Sequence, residues 1–154
     1  TPYRFDTGIG FFLENVNLTA GATFQDWKQT RFEKPDHADD ADYRYLFDEN
    51  RNIQQNYRET INYHVGGEIM MPGSNLAVRG GYAYYPSPLR DVPSDQNKKV
   101  YTAGIGFKLG INTYLDVTYL RSNWLRESED SYTPGGTTEE ISENRLFFGL
   151  RFNL

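Results

Sequence analysis

The chain has 154 residues, about one domain's worth, with a formal charge of −5, a mean hydropathy of −0.71 and no cysteine. Lack of cysteine excludes a disulfide framework, thiolate catalysis and a cysteine-type zinc site. The acidic balance argues against nucleic acid as a partner, because phosphate neutralisation needs clustered Lys and Arg.

Aromatics reach 16% while the hydrophobic share is only 38%. That composition suits rings at a boundary better than an interior built from Leu, Ile and Val. No run approaches the roughly 18 apolar residues of a membrane helix. Thr1 and Pro2 lead straight into a patterned segment with no leader-like stretch before it, so a chain processed or cut from something longer is expected.

The first segment, YRFDTGIGFFLE, puts Tyr3, Phe5, Thr7, Ile9, Phe11 and Leu13 on one face. Arg4, Asp6, Gly8, Gly10 and Glu14 fall on the other, with Phe12 the exception. Successive strand side chains point to opposite faces, so this is a strand with one apolar and one polar side; a helical period would scatter the same residues. Seven such segments follow one another, at about 3–14, 18–32, 57–71, 76–86, 99–109, 113–125 and 141–154. No helix is expected beyond a turn in the second connection.

The connections alternate in length. ENVN, PGSN and GIN are tight turns with the Asn and Gly that hairpins favour. Between them lie long polar stretches: EKPDHADDADYRYLFDENRNIQQN, SPLRDVPSDQN and RESEDSYTPGGTTEE. Short turns at one end and long loops at the other describe an all-β transmembrane antiparallel barrel of the bacterial outer membrane, with the whole chain in one domain. Tyr3, Trp27, Tyr57, Tyr84, Tyr101 and Trp124 fall near the long-loop ends, where rings with polar tips collect at a membrane interface. The final ladder, with Phe148, Leu150, Phe152 and Leu154 on one face, resembles the signal by which a barrel's last strand is recognised for assembly.

Seven strands do not close. Single-chain bacterial barrels have even strand numbers, and an open edge in lipid leaves about ten backbone groups unpaired at several kcal/mol each. Missing N-terminal strands, or another chain, are therefore expected to complete the barrel.

TPYRFDTGIGFF, LTAGATFQDWKQTRF, HVGGEIMMPGSNLAVRGGYAYYPSPL, YTAGIGFKLGINTYLDVTYL and the ending FFGLRFNL together resemble the C-terminal half of the FadL/OmpP1/TodX family of outer-membrane transport proteins. The resemblance implies half of a fourteen-stranded barrel that passes hydrophobic compounds, typified by long-chain fatty acids. It supplies no counterpart here for the family's N-terminal plug. Some relatives serve secretion machinery, so a structural or docking barrel that binds a partner protein is the alternative function. A soluble β-sandwich or ligand-binding calyx is a third.

The polar face carries Arg4, Asp6, Arg58, His64, Glu68, Arg79, Lys108, Asp116, Arg145 and Arg151. Such a set can either pair internally or bind an anionic head, with Arg79, Arg145 and Arg151 as the preferred carboxylate partners. Asp36, Asp39, Asp40, Asp42, Asp48 and Glu49 concentrate in the second connection without EF-hand spacing. They are expected to be solvated, with divalent cations as a possible bridge to lipopolysaccharide. Tyr43, Tyr45, Leu46 and Phe47 in the same stretch are candidates for an apolar extracellular mouth. Strand-interior glycines suit curvature or a close-fitting plug. Nothing resembles a nucleophile elbow, metal-ligand pair or phosphate loop, so no catalytic residue, metal or cofactor is expected. The expected partners are outer-membrane lipid, lipopolysaccharide and a hydrophobic small molecule.

Overall fold

The computed structural model describes residues 2–37, 39, 41, 43–110, 112–130 and 133–152, with the backbone alone at 129, 130, 133 and 134. Asp40, Asp42 and Leu154 lie outside the described residues. The strands are β1 (Arg4–Phe12), β2 (Val16–Asp26), β3 (Glu59–Met70), β4 (Leu76–Tyr85), β5 (Lys98–Lys108), β6 (Thr113–Asp130) and β7 (Thr133–Phe152). They form one antiparallel sheet in simple chain order, β1 through β7, and it does not close into a barrel.

Period-two patterning and register combine to sort the two faces. Ile9, Ala20, Val65, Tyr82 and Tyr101 lie along one row of paired residues, and Ile69, Val78, Ile105, Val117 and Phe148 along another. This is the apolar face, and its large side chains stand largely exposed among the described residues. Phe148 is 71% exposed, Val65 50% and Ile105 41%. Among the described residues the buried apolar side chains are Ile53 and Ala77. A dry cluster of Phe148, Val65 and Ile105, as a sandwich interior would require, is therefore absent.

The short turns form as expected. Leu13 N–H bonds to Val16 C=O, Met71 N–H to Leu76 C=O and Leu109 N–H to Thr113 C=O. Gly73 takes the left-handed conformation that a Cβ would penalise, at φ +73°.

The register also slants. Phe12↔Asn17 closes the first hairpin, and Asn17 faces Glu68, two residues short of the Met70↔Ala77 pair that closes the second. Ala77 faces Gly106, again two residues short of Lys108↔Tyr114. The turn end thus steps by two residues for every two strands. With a rise of about 3.3 Å and a strand spacing of about 4.8 Å, the strands incline by about 35° from the perpendicular to the line of turns.

Three expectations need correction. The second connection is not a bare loop, because Arg44–Asn56 form helix α1. Its stripe of Leu46, Asn50 and Ile53 faces the chain leaving β2. The Asn50 amide accepts from Phe32 N–H at 2.7 Å and donates to Phe32 C=O at 2.9 Å. Second, β2 stops at Asp26 rather than near 32, and Trp27–Gln29 form a 3-10 turn capped by the Asp26 carboxylate. Third, the last long connection is mostly strand. β6 runs to Asp130 and β7 starts at Thr133, so the pairs from Trp124↔Ile141 outward form a two-stranded ribbon beyond β5. No helix among the described residues is long and apolar enough to cross a membrane, which bears on helices alone.

Candidate functional site

The polar face is the side whose residues converge. Its centre is Arg79 on β4. The guanidinium bonds to Glu68 on β3 and reaches across β5 to Asp116 on β6, while Glu68 also accepts from the Asn17 amide at 2.9 Å. This span covers five strands, from β2 to β6. Gly106 makes it possible: a Cβ there would sit 2.6 Å from an Asp116 carboxylate oxygen and 3.1 Å from an Arg79 nitrogen. Gly21 plays the same part for His64, whose ring occupies the space a Cβ would fill at 2.5 Å.

Above this bridge the face becomes small and apolar. Gly66, Gly81, Ala83, Val100, Thr102 and Leu120 floor a trough of about 500 Å3 that also touches His64, Glu68 and Arg79. A second hollow, about 440 Å3, shares Tyr85, Val100 and Leu120 with it and ends at Lys98, Ser122, Glu143 and Arg145. Arg145 bonds to Glu143, whose other oxygen accepts from the buried Ser122 hydroxyl at 3.2 Å. Lys98 sits 3.7 Å from Glu143 and 4.3 Å from the centre of the Trp124 ring. The upper cluster, two cations around one carboxylate, is net positive; the Glu68–Arg79–Asp116 trio is net negative. An apolar stretch therefore runs between two clusters of opposite sign.

The remaining candidates spread along the same sheet. Arg4 pairs with Asp6 at 2.9 Å on the exposed edge strand, and Asp6 also accepts from Thr23 at 2.5 Å. Arg58 donates to Ser87 C=O at 3.1 Å, which fastens the β4–β5 connection. Lys108 and Arg151 flank the Tyr114 ring, at 5.9 and 4.7 Å from its centre. Of the three arginines expected to hold a carboxylate, Arg79 is already occupied by two acids and Arg145 by one. Arg151 has no acidic partner among the described residues.

At the other end of the sheet, Tyr43, Leu46 and Phe47 line a hollow of about 660 Å3 against Arg31, Phe32 and Arg51. Tyr45 stacks beside Tyr43 with centroids 6.3 Å apart. Tyr3, Tyr57, Tyr84 and Tyr101 have the parity of the apolar face, and Tyr63 stacks on Tyr84 at 5.2 Å. Trp27 and Trp124 do not share that face. The Trp27 indole donates to Thr60 at 3.0 Å on the polar side, and Trp124 lies beside Lys98. Phe148, Leu150 and Phe152 stand exposed in an unbroken apolar row on β7.

Sequence reasoning missed Lys98, Glu143, Ser122 and the Val100–Leu120 floor. Alternation alone assigns them to the polar side, but only cross-strand register brings them together. Comparison with family models, with curated proteins and with solved structures gives no match.

Proposed function

We propose that this sheet is part of a transmembrane β-barrel of the bacterial outer membrane, and that its polar face lines a path for passive uptake of hydrophobic molecules with a polar head. The observation that carries this reading is a single sheet whose whole apolar face is uncovered. In water such a surface is an association hazard far larger than a monomer tolerates; in hydrocarbon it is a solvated exterior.

The slant supports the same reading. Strands in membrane barrels tilt by about 35–45°, and turns held level at one membrane surface require about the inclination this register has. The free edges of β1 and β7 are then paired by strands from elsewhere, since lipid offers no hydrogen-bond partner. Seven antiparallel strands would be half of the fourteen that the resemblance to the FadL/OmpP1/TodX family implies.

On the polar face, the net-positive cluster at Lys98 and Arg145 attracts an anionic head, and Val100 and Leu120 offer carbon surface below it. The Glu68–Arg79–Asp116 bridge, with its one cation already shared by two carboxylates, acts as a structural tie rather than a carboxylate receptor. No step requires a cofactor.

Leu120→Trp places an indole over the trough floor. Uptake of a labelled long-chain carboxylate into proteoliposomes is expected to fall several-fold, with folding unchanged. Uptake equal to that of protein-free vesicles by the unaltered protein would refute the transport reading. A docking barrel is the second reading, favoured by the β6–β7 ribbon, which projects past the end of β5.

A further inference from the structure

Most of the apolar face carries no charge, and its two unpaired strand cations sit together. Lys99 on β5 is cross-strand partner to Tyr84 and Asn123, and Arg121 on β6 is partner to Tyr101 and Asn144. Both have the parity of the exposed apolar side chains Ile105 and Val117, not that of the trough. They are diagonal neighbours, a placement that sets such residues about 7–8 Å apart, within the span of two long side chains closing on one phosphate. Neither has a carboxylate at ion-pair distance among the described residues, and Arg121 bonds only to Asn123, at 3.3 Å.

Their level on the sheet is informative. Tyr101 lies one outward position below Lys99 and Tyr119 one below Arg121, and beneath those rings come Ala103, Ile105 and Phe107, then Val117 and Leu115. Cations directly above a ring of tyrosines, with hydrocarbon-facing residues below, mark the depth at which headgroups lie. Asn123, Ser142 and Asn144 add polar partners beside them, and a hollow of about 490 Å3 opens there, lined by Asn97, Lys99, Tyr101 and Asn123. Asp95 and Glu140 also line this hollow, so a small free anion gains little from it, whereas a headgroup whose tails are anchored below is held in place.

We propose that Lys99 and Arg121 form a binding site for the phosphate of a membrane lipid headgroup on the outer wall of the sheet. The proposal rests on the membrane reading above, and it concerns the wall rather than the path.

The test uses this chain together with the strands that pair its free edges, reconstituted in phosphatidylcholine vesicles doped with phosphatidic acid or with uncharged diacylglycerol, with lipid retained after detergent extraction counted by native mass spectrometry. Flotation with the vesicles reports membrane insertion separately. Phosphatidic acid is expected to be retained over diacylglycerol by about thirtyfold, the effect of two interfacial cations. Lys99→Gln with Arg121→Gln is expected to abolish that preference while flotation persists, and Lys99→Arg to keep it. Equal retention by the Gln variant, with both proteins floating, overturns the headgroup site and leaves the barrel reading standing. Displacement of the lipid by inorganic phosphate at matched concentration overturns the assignment to a lipid. Failure of the unaltered protein to float overturns both.

Discussion

Arginine in place of Ile105 will destabilise the folded protein in a bilayer by about 2–4 kcal/mol, the cost of a cation on the lipid face near mid-depth. Ile105 is the middle of the three outward residues of β5 below Tyr101, flanked along the face by Ala103 and Phe107 and across it by Val78 and Val117. If water covered this face, a side chain 41% exposed could become Arg with a change within about 0.5 kcal/mol. The same replacement at Phe148 follows the same logic on β7. Arginine at Thr102, whose parity is that of the polar face, is the control and should cost far less. Urea unfolding of the protein folded into lipid vesicles reads all three, and a cost at 105 no larger than at 102 would contradict the lipid assignment.

A loss of about 3 kcal/mol is also expected from Arg79→Met, read in the same unfolding experiment. Removing the cation leaves Glu68 and Asp116 uncompensated; breaking a buried pair costs about 3–5 kcal/mol. The low end applies because all three side chains keep roughly a quarter of their exposure. Adding Glu68→Gln and Asp116→Asn to Arg79→Met should recover most of the loss, because the unpaired charges are its cause. Gly106→Val should reproduce much of the defect with every charge still present, since its side chain would displace Arg79 from Asp116. If Gly106→Val is neutral, the guanidinium does not cross β5.

The strands were legible because β1 to β7 each repeat apolar and polar residues at period two, and tight turns with Asn and Gly punctuate them. Helix α1 was not. Tyr43 caps it without a side-chain bond, and RYLFDENRNIQQN mixes aromatics and asparagines that favour helix only weakly. Its one signal was the i, i+4, i+7 spacing of Leu46, Asn50 and Ile53. The ribbon was hidden by Pro134, Gly135 and Gly136, which read as a turn, and by TTEEIS, which has no period-two pattern although Thr137 to Ser142 pair with Asn123 to Ser128.

The site was legible by face but not by pairing. Arg79, Glu68 and Asp116 were all assignable to the polar side, yet their union depends on a guanidinium passing over a glycine of the next strand to an aspartate two strands away. Trp27 and Trp124 show the limit of reading position along a strand without parity. Both lie at the expected end and on the opposite face from the tyrosines.

The most direct measurement is a single-site fluorophore scan along β5, from position 103 to 107, in the vesicle-inserted protein. Quenching by brominated lipid should peak at 103, 105 and 107 and quenching by aqueous iodide at 104 and 106. Iodide reaching 105 as readily as 104, or neither quencher reaching 105, would contradict it: the first means water on both faces, the second a packed protein interior.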